Sequence, residues 1–217
     1  MNEMGKDITA MDVIESVVKA VLSEVPYVKF YIQAIDSIKG NVLQRRYEQW
    51  QEKVGKRLSE ISQDVSLKLG NNDSFATMLI KATELASKTN GKKMDYLANA
   101  VKYTAENEID EDNLIIMLNC IEKYTLSHIL ILKYLQNPSS FSNGKQYIAG
   151  GLFTYFDDYY PDFNKALQSI ILKDLFRDGL VNTDTGGSMT SAGMEAKRTT
   201  ELGDLFITVF GIEDDGK

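Results

Sequence analysis

Between residues 43 and 69 the apolar side chains fall at Leu43, Tyr47, Trp50, Val54, Leu58, Ile61, Val65 and Leu69. That is 26 residues in seven steps, about 3.7 per step. The value lies near the 3.6 of a straight α-helix and above the 3.5 that winds helices into a left-handed coiled coil. The spacing predicts one long helix, capped by Asn41 and running to about Leu69, that packs inside a bundle rather than along a copy of itself. Glu52/Lys56 and Asp64/Lys68 form favourable pairs four residues apart on its outer side. Gly55 in its interior should cost about 1 kcal/mol relative to alanine.

The same period recurs on both sides. Val13/Ile14, Val17/Val18 and Val21/Leu22 mark one helical face, and Pro26 divides the apolar stretch 13–38 into two short helices. Glu15, Lys19, Glu24, Lys29 and Asp36 interrupt that stretch too often for a membrane-spanning helix. Its expected place is a protein core, with membrane association, without spanning, as the sharper alternative. Gly70-Asn71-Asn72-Asp73 ends the long helix, and Asp73 or Ser74 caps a run through Phe75, Met78, Leu79, Ala82 and Leu85. Asn90-Gly91 separates it from a helix carrying Met94, Leu97, Ala98, Val101 and Ala105. Acidic residues 106–112 then lead into Leu114, Ile115, Leu118 and Ile121, and their charge suits a helix N-terminus. Residues 1–124 are expected to form an α-helical bundle.

After Tyr124 the grammar changes. A helix from Thr125 to Asn137 stops at Pro138, and a Ser/Asn/Gly linker follows. A helix through Leu152, Phe153 and Phe156 comes next. Asp162 should cap another with Phe163, Leu167, Ile170, Ile171 and Leu175, closed by Gly179. Leu180-Val181-Asn182-Thr183 reads as a strand, 184–196 as a loose loop, Lys197-Arg198-Thr199 as the returning strand, and Thr200 as the cap of a last helix. Three helices, a strand, a loop, a strand and a helix is the order of a winged helix-turn-helix domain, expected over 125–212. The acidic end, 213–217, is expected to be disordered. The fold class is therefore mostly α, a helical bundle followed by a winged helix.

Three segments carry a family resemblance. Residues 44–62, QRRYEQWQEKVGKRLSEIS, resemble the Arg-rich long helix of bacterial proteins from phage-resistance loci. LSHILILKYLQNP, FNKALQSIILKDLFRDGLV and TTELGDLFITVFGI resemble the winged-helix end of the same proteins, the abortive infection alpha type. The resemblance covers roughly residues 11 to 212. It implies a helical, non-catalytic protein tied to phage defence, and no catalytic residue carries over.

The composition narrows the chemistry. One cysteine, Cys120, and one histidine, His128, cannot build a disulfide within the chain, a structural zinc site or a Cys/His dyad. A reduced thiol and an N-terminus without a basic start and clean apolar run suit a cytoplasmic protein. No phosphate loop and no GxSxG elbow is present. His128 on an apolar helix reads as a core histidine, and Cys120 as a small buried hydrophobe. Asp157, Asp158 and Asp162 place three carboxylates in six residues but lack the glycine and terminal glutamate of a calcium loop. The aromatic residues around them, Phe153, Tyr155, Phe156, Tyr159, Tyr160 and Phe163, should fill the winged-helix core, with a binding patch formed by part of them as the alternative. Neither metal nor cofactor is expected, nor is an enzyme.

Charge decides between the binding functions. Acidic residues number 31 against 24 Lys plus Arg, a net −7. The helix expected from Asp162 to Asp178 would be the recognition helix, offering Asn164, Lys165, Gln168, Ser169 and Lys173, with Lys197 and Arg198 at the wing base. Its cations Lys165, Lys173 and Arg177 are matched by Asp162, Asp174 and Asp178. DNA affinity comes largely from neutralising phosphates, so the winged helix is expected to dock a protein. The alternative is a DNA-binding transcriptional regulator. A second candidate docking face is the basic side of the long helix, Arg45, Arg46, Lys53, Lys56 and Arg57. The expected partners are another protein or a second copy of the chain.

Overall fold

The structure, a computed structural model, describes Ser16 and residues 42–89, 91–184 and 187–212. The expectations for 13–38, for the Asn41 cap and for the tail 213–217 lie outside the described residues, Ser16 aside. The described chain is mostly α-helical. It divides into two compact units, Met1–Asn119 with Val209–Gly211, and Cys120–Thr208 with Ile212–Lys217.

The first unit is built on α1 (Val42–Leu58), α3 (Asp73–Lys88) and α4 (Lys92–Glu106), each of which packs against the other two. The long helix stops eleven residues before the expected Leu69, because the chain turns at residues 59–62 and restarts as the short α2 (Gln63–Ser66). Ser62 forms the new cap, its side chain accepting from the Val65 amide. Ile61 and Leu69 stay buried even so. The apolar period thus survives a break in the helix, since burial rather than helix continuity selects those positions. A single turn of 3₁₀ helix, Leu69–Asn71, leads to Asn72, which caps α3 through the Phe75 amide. That cap falls one residue before Asp73 and two before Ser74, the expected caps. Phe75, Met78, Leu79, Ala82, Met94, Leu97, Ala100 and Val101 form a sealed interior.

Trp50, the chain's one tryptophan, is only 3% exposed, and its indole N–H donates to the Thr83 hydroxyl at 3.0 Å. That hydroxyl donates in turn to the Leu79 carbonyl at 2.7 Å. Thr83→Val keeps the shape and removes the acceptor, leaving a buried indole N–H unpaired, which should cost about 1–3 kcal/mol. Denaturant unfolding followed by Trp50 fluorescence checks this; an unchanged midpoint would show that the bond carries nothing.

The rest of the helices are α5 (Glu111–Lys123), α6 (Leu126–Gln136), α7 (Thr154–Tyr159), α8 (Lys165–Arg177), α9 (Ser191–Glu195) and α10 (Glu201–Val209). The unit boundary falls inside α5, five residues before the one read at 124. In the second unit α6 packs on α8, and α7 lies against the 3₁₀ turn Pro138–Phe141. Of the aromatic residues of this region some are core, while Phe153, Tyr159, Tyr160 and Phe163 stay half-buried. Tyr134, Tyr155 and Phe156 are fully buried, and Phe156 meets Tyr134 and Phe163 edge-on with ring centroids 5.2 and 5.1 Å apart.

Strand structure is slight. β1 (Ala149–Gly150) pairs antiparallel with β2 (Met189–Thr190), Ala149 opposite Thr190. Neither was visible in the sequence, nor was α9 inside the expected loose loop. The expected strand pair is reduced to one antiparallel bridge, Val181 to Thr199, flanked by Asn182 N–H to Arg198 carbonyl at 2.9 Å and Thr200 N–H to Leu180 carbonyl at 3.0 Å.

Candidate docking surface

The local chemistry of α8 sets which of its sides faces out. Its cap is Asn164, not Asp162: the Asn164 side-chain oxygen accepts from the Ala166 and Leu167 amides at 2.9 and 3.3 Å. At the other end Gly179 takes φ +76, and the Leu180 amide reaches back to the Leu175 carbonyl at 2.9 Å. This left-handed stop is one that a side chain resists. Gln168, Ile171, Leu172 and Leu175 turn inward. On the outward side stand Lys165, Ala166, Leu167, Ser169, Ile170, Lys173, Phe176 and Arg177. Leu167 is 37% exposed, Ile170 57% and Phe176 44%. Leu167 and Ile170, read as part of the apolar run of this helix, thus belong to the surface. The apolar run of the sequence is wider than the helix needs for burial.

The residues expected to read a duplex separate into two groups. Asn164 is used as a cap. Gln168 is buried, and its amide donates to Asp157 at 2.6 Å, joining α8 to α7. Arg198 is turned into the fold, donating to the Gly193 carbonyl at 2.8 Å while its own amide donates to the Leu135 carbonyl at 2.7 Å. Lys197 pairs with Asp204. Lys165 pairs with Asp157 at 3.2 Å but keeps a 76% exposed side chain. Ser169 and Lys173 are exposed, and Lys173 has no ion-pair partner among the described residues.

The basic side of α1 is largely engaged. Arg46 donates to the Ser87 carbonyl at 3.1 Å, Lys53 pairs with Asp95, and Arg57 pairs with Glu60 at 3.3 Å. Arg45 and Lys56 stay exposed, sharing that surface with the exposed Glu48 and Glu52. Opposite charges interleave there, so no continuous positive face results.

A polar cluster that the sequence did not reveal holds α8 in place. Lys123, the last residue of α5, and Tyr124, which follows it, both donate to Asp178, at 2.6 and 2.7 Å. His128 stacks flat on Tyr124, ring centroids 4.8 Å apart. The His128 Nδ1 accepts from the Thr125 amide at 3.3 Å and lies 2.9 Å from the Thr125 hydroxyl. The proton therefore sits on Nε2, 3.4 Å from an Asp174 oxygen. Arg177 pairs with Asp174 as well. The i,i+4 spacing of Asp174 and Asp178 was the available signal, but nothing in the sequence brings Lys123 opposite them. Burial pushes the Tyr124 phenol far up, reinforced by its bond to Asp178. Burial alone would raise the Asp178 carboxyl, yet the bonds from Lys123 and Tyr124 outweigh it and hold it below the usual range. Burial lowers His128, against a smaller upward pull from Asp174.

These directions fix a pH dependence. The unfolded imidazole, near pH 6.5, binds a proton more readily than the folded one. His128 therefore adds stability above that pH, and the addition is lost as pH falls through its lower folded value. Asp178 works the same way from about pH 4 downward. Thermal unfolding measured from pH 7.5 to 5 should show a falling Tm that flattens in His128→Gln. Equal slopes in the two proteins would refute the assignment.

Asp157 and Asp158 are also spent on donors. Asp157 takes Gln168 and Lys165, while Asp158 takes Tyr147 and, at 3.2 Å, Lys145. The bonds from Tyr147 and Lys145 hold the Asp158 carboxyl below its usual range. Among the described residues no group of three His, Cys, Asp or Glu side chains is placed to hold a metal ion. No helix among them is long and apolar enough to cross a membrane.

The outward side of α8 thus combines exposed apolar side chains with exposed cations. Set against known proteins, the chain matches no family model, no curated protein and no solved structure.

Proposed function

We propose that this is a non-enzymatic interaction protein of the phage-defence, abortive infection type, acting in the cytoplasm, and that a winged helix over residues 125–212 docks a protein partner through α8. The order α6, β1, α7, α8, the Val181–Thr199 bridge and the return into α10 support the winged-helix reading. The three-way packing of α1, α3 and α4 supports a helical bundle ahead of it. The phage-defence assignment draws on the segments within 44–62, 126–138, 163–181 and 199–212.

The observation that carries docking is the exposure of Leu167, Ile170 and Phe176 on the helix that would otherwise enter a DNA groove. Apolar side chains there gain from an apolar partner and gain little from a phosphate backbone. The inward use of Gln168 and Arg198 removes two of the expected base and phosphate contacts. The one imidazole of the chain is occupied between Thr125 and Asp174, which fits a tether rather than a general base. Plating phage on cells with and without the gene tests the role: protection is expected with the intact chain and its loss with Ile170→Asp. Equal plating with and without the gene would end the proposal.

The second reading, a DNA-binding regulator, draws on the exposure of Lys165 and Lys173. It requires salt-sensitive binding to a duplex, and no shift on any duplex at low salt removes it.

A further inference from the structure

We infer that Asn143 is a site of spontaneous deamidation, converting in the folded chain to aspartyl and isoaspartyl residues through a cyclic imide closed by the Gly144 amide. This reaction is independent of the docking reading above. Asn143-Gly144 lies between the 3₁₀ turn Pro138–Phe141 and β1. Residues 142–145 form a tight turn, closed by the Lys145 amide donating to the Ser142 carbonyl at 2.9 Å. Its two central residues take positive φ, +53 at Asn143 and +77 at Gly144. Asn-Gly adopts that pair of conformations at little cost. The reaction needs an open carboxamide and an unhindered amide nitrogen one residue on. Asn143 and Gly144 are both exposed, and a Cβ at Gly144 would meet nothing within 4 Å. Neither the Asn143 carboxamide nor the Gly144 amide has a hydrogen-bond partner among the described residues. The other asparagines differ. Asn72 and Asn164 serve as helix caps, and Asn99 donates to the Phe210 carbonyl at 3.2 Å. Asn137 precedes Pro138, whose nitrogen has no proton to lose. Among the described asparagines, Asn143 alone precedes a glycine.

The step balances with water alone. Hydroxide takes the Gly144 amide proton, and the nitrogen attacks the Asn143 Cγ. A C–N bond forms, and the side-chain nitrogen leaves as ammonia after taking a proton from water. Water then opens the imide. Attack at the Cγ carbonyl restores the peptide bond and leaves aspartate, while attack at the main-chain carbonyl routes the backbone through the side chain and leaves isoaspartate. The net change is carboxamide and water to carboxylate and ammonia, with nothing oxidised or reduced. It adds one negative charge to a chain of net −7. The isoaspartyl form also carries an extra methylene in the main chain, so the turn before β1 cannot re-form with the same register. The fold opposes ring closure through the Lys145–Ser142 bond and the exposed Lys145–Asp158 pair at 3.2 Å. One neutral hydrogen bond and one surface ion pair slow the step by about tenfold at most.

The test incubates the full chain beside a synthetic peptide of residues 138–148 in mildly alkaline buffer, with circular dichroism verifying that the chain stays folded. Cleavage after Lys133 and Lys145 releases the fragment 134–145, which holds both Asn137 and Asn143. Mass spectrometry with electron-transfer fragmentation then distinguishes asparagine, aspartate and isoaspartate at each position. Asn143 should convert within about tenfold of the rate in the peptide, giving both products and going faster as pH rises. Asn137 should stay intact in the same fragment. Isoelectric focusing of the intact protein should show a more acidic form accumulating. That form should be absent from Asn143→Gln, whose longer side chain closes a ring far more slowly. Conversion at Asn143 slower than in the peptide by more than that factor would show that the fold protects the site and would overturn the inference. Conversion of Asn72, Asn99 or Asn164 as fast as Asn143 would overturn it equally, since exposure and the following glycine would then select nothing.

Discussion

Gly203→Ala should unfold the second unit at a temperature roughly 10–20 °C below wild type, a loss of about 3 kcal/mol or more. Gly203 lies in α10, and its amide donates to the Thr200 hydroxyl at 3.1 Å, as an N-terminal cap requires. A Cβ at this position would collide with the Leu180 carbonyl oxygen and come within 3.3 Å of the Thr199 Cβ. Leu180 is fully buried, and its carbonyl already accepts from the Thr200 amide beside the Val181–Thr199 bridge. A flexible side chain could move aside; this backbone cannot move without breaking that pairing. Gly55→Ala in α1 is the control, because a Cβ there meets nothing within 4 Å. It should stabilise the first unit by up to about 1 kcal/mol. Melting followed by circular dichroism, with Trp50 fluorescence reporting the first unit, separates the two effects. A Gly203→Ala protein that melts with wild type would contradict the close approach of α10 to Leu180.

Asp178→Ala should cost the second unit about 2–4 kcal/mol. The carboxylate is 18% exposed and receives both the Tyr124 hydroxyl and the Lys123 ammonium. Its removal leaves a buried phenol without that acceptor and a half-exposed ammonium facing one aspartate, Asp174, at 3.8 Å. The penalty is the loss of this acceptor at a desolvated site, so Asp178→Asn, which retains an acceptor, should recover part of it. Tyr124→Phe with Asp178→Ala should cost less than the sum of the two single changes, since the same bond is lost once. Strict additivity in that cycle would show that the two groups do not interact.

The helices were written in the sequence because a 3.6-residue period is a local property. The α3 run through Phe75, Met78, Leu79, Ala82 and Leu85 and the α4 run through Met94, Leu97 and Val101 are buried where the spacing put them. Local terms also set the stops at Pro138 and Gly179, one lacking an amide to continue a helix and the other free to adopt φ +76. The break at residues 59–62 escaped the same reading, since Ile61, Val65 and Leu69 keep the rhythm while the backbone changes course.

What the candidate surface looks like was decided by distance in space. Sequence determined that α8 exists and that its charges cancel. The tertiary fold alone set Gln168 against Asp157, placed Lys123 and Tyr124 on Asp178, turned Arg198 inward, and left Ile170 and Phe176 outside. The physical reason is range: helix propensity and capping act within a few residues, whereas burial and ion pairing depend on neighbours far along the chain, 55 residues apart for Lys123 and Asp178.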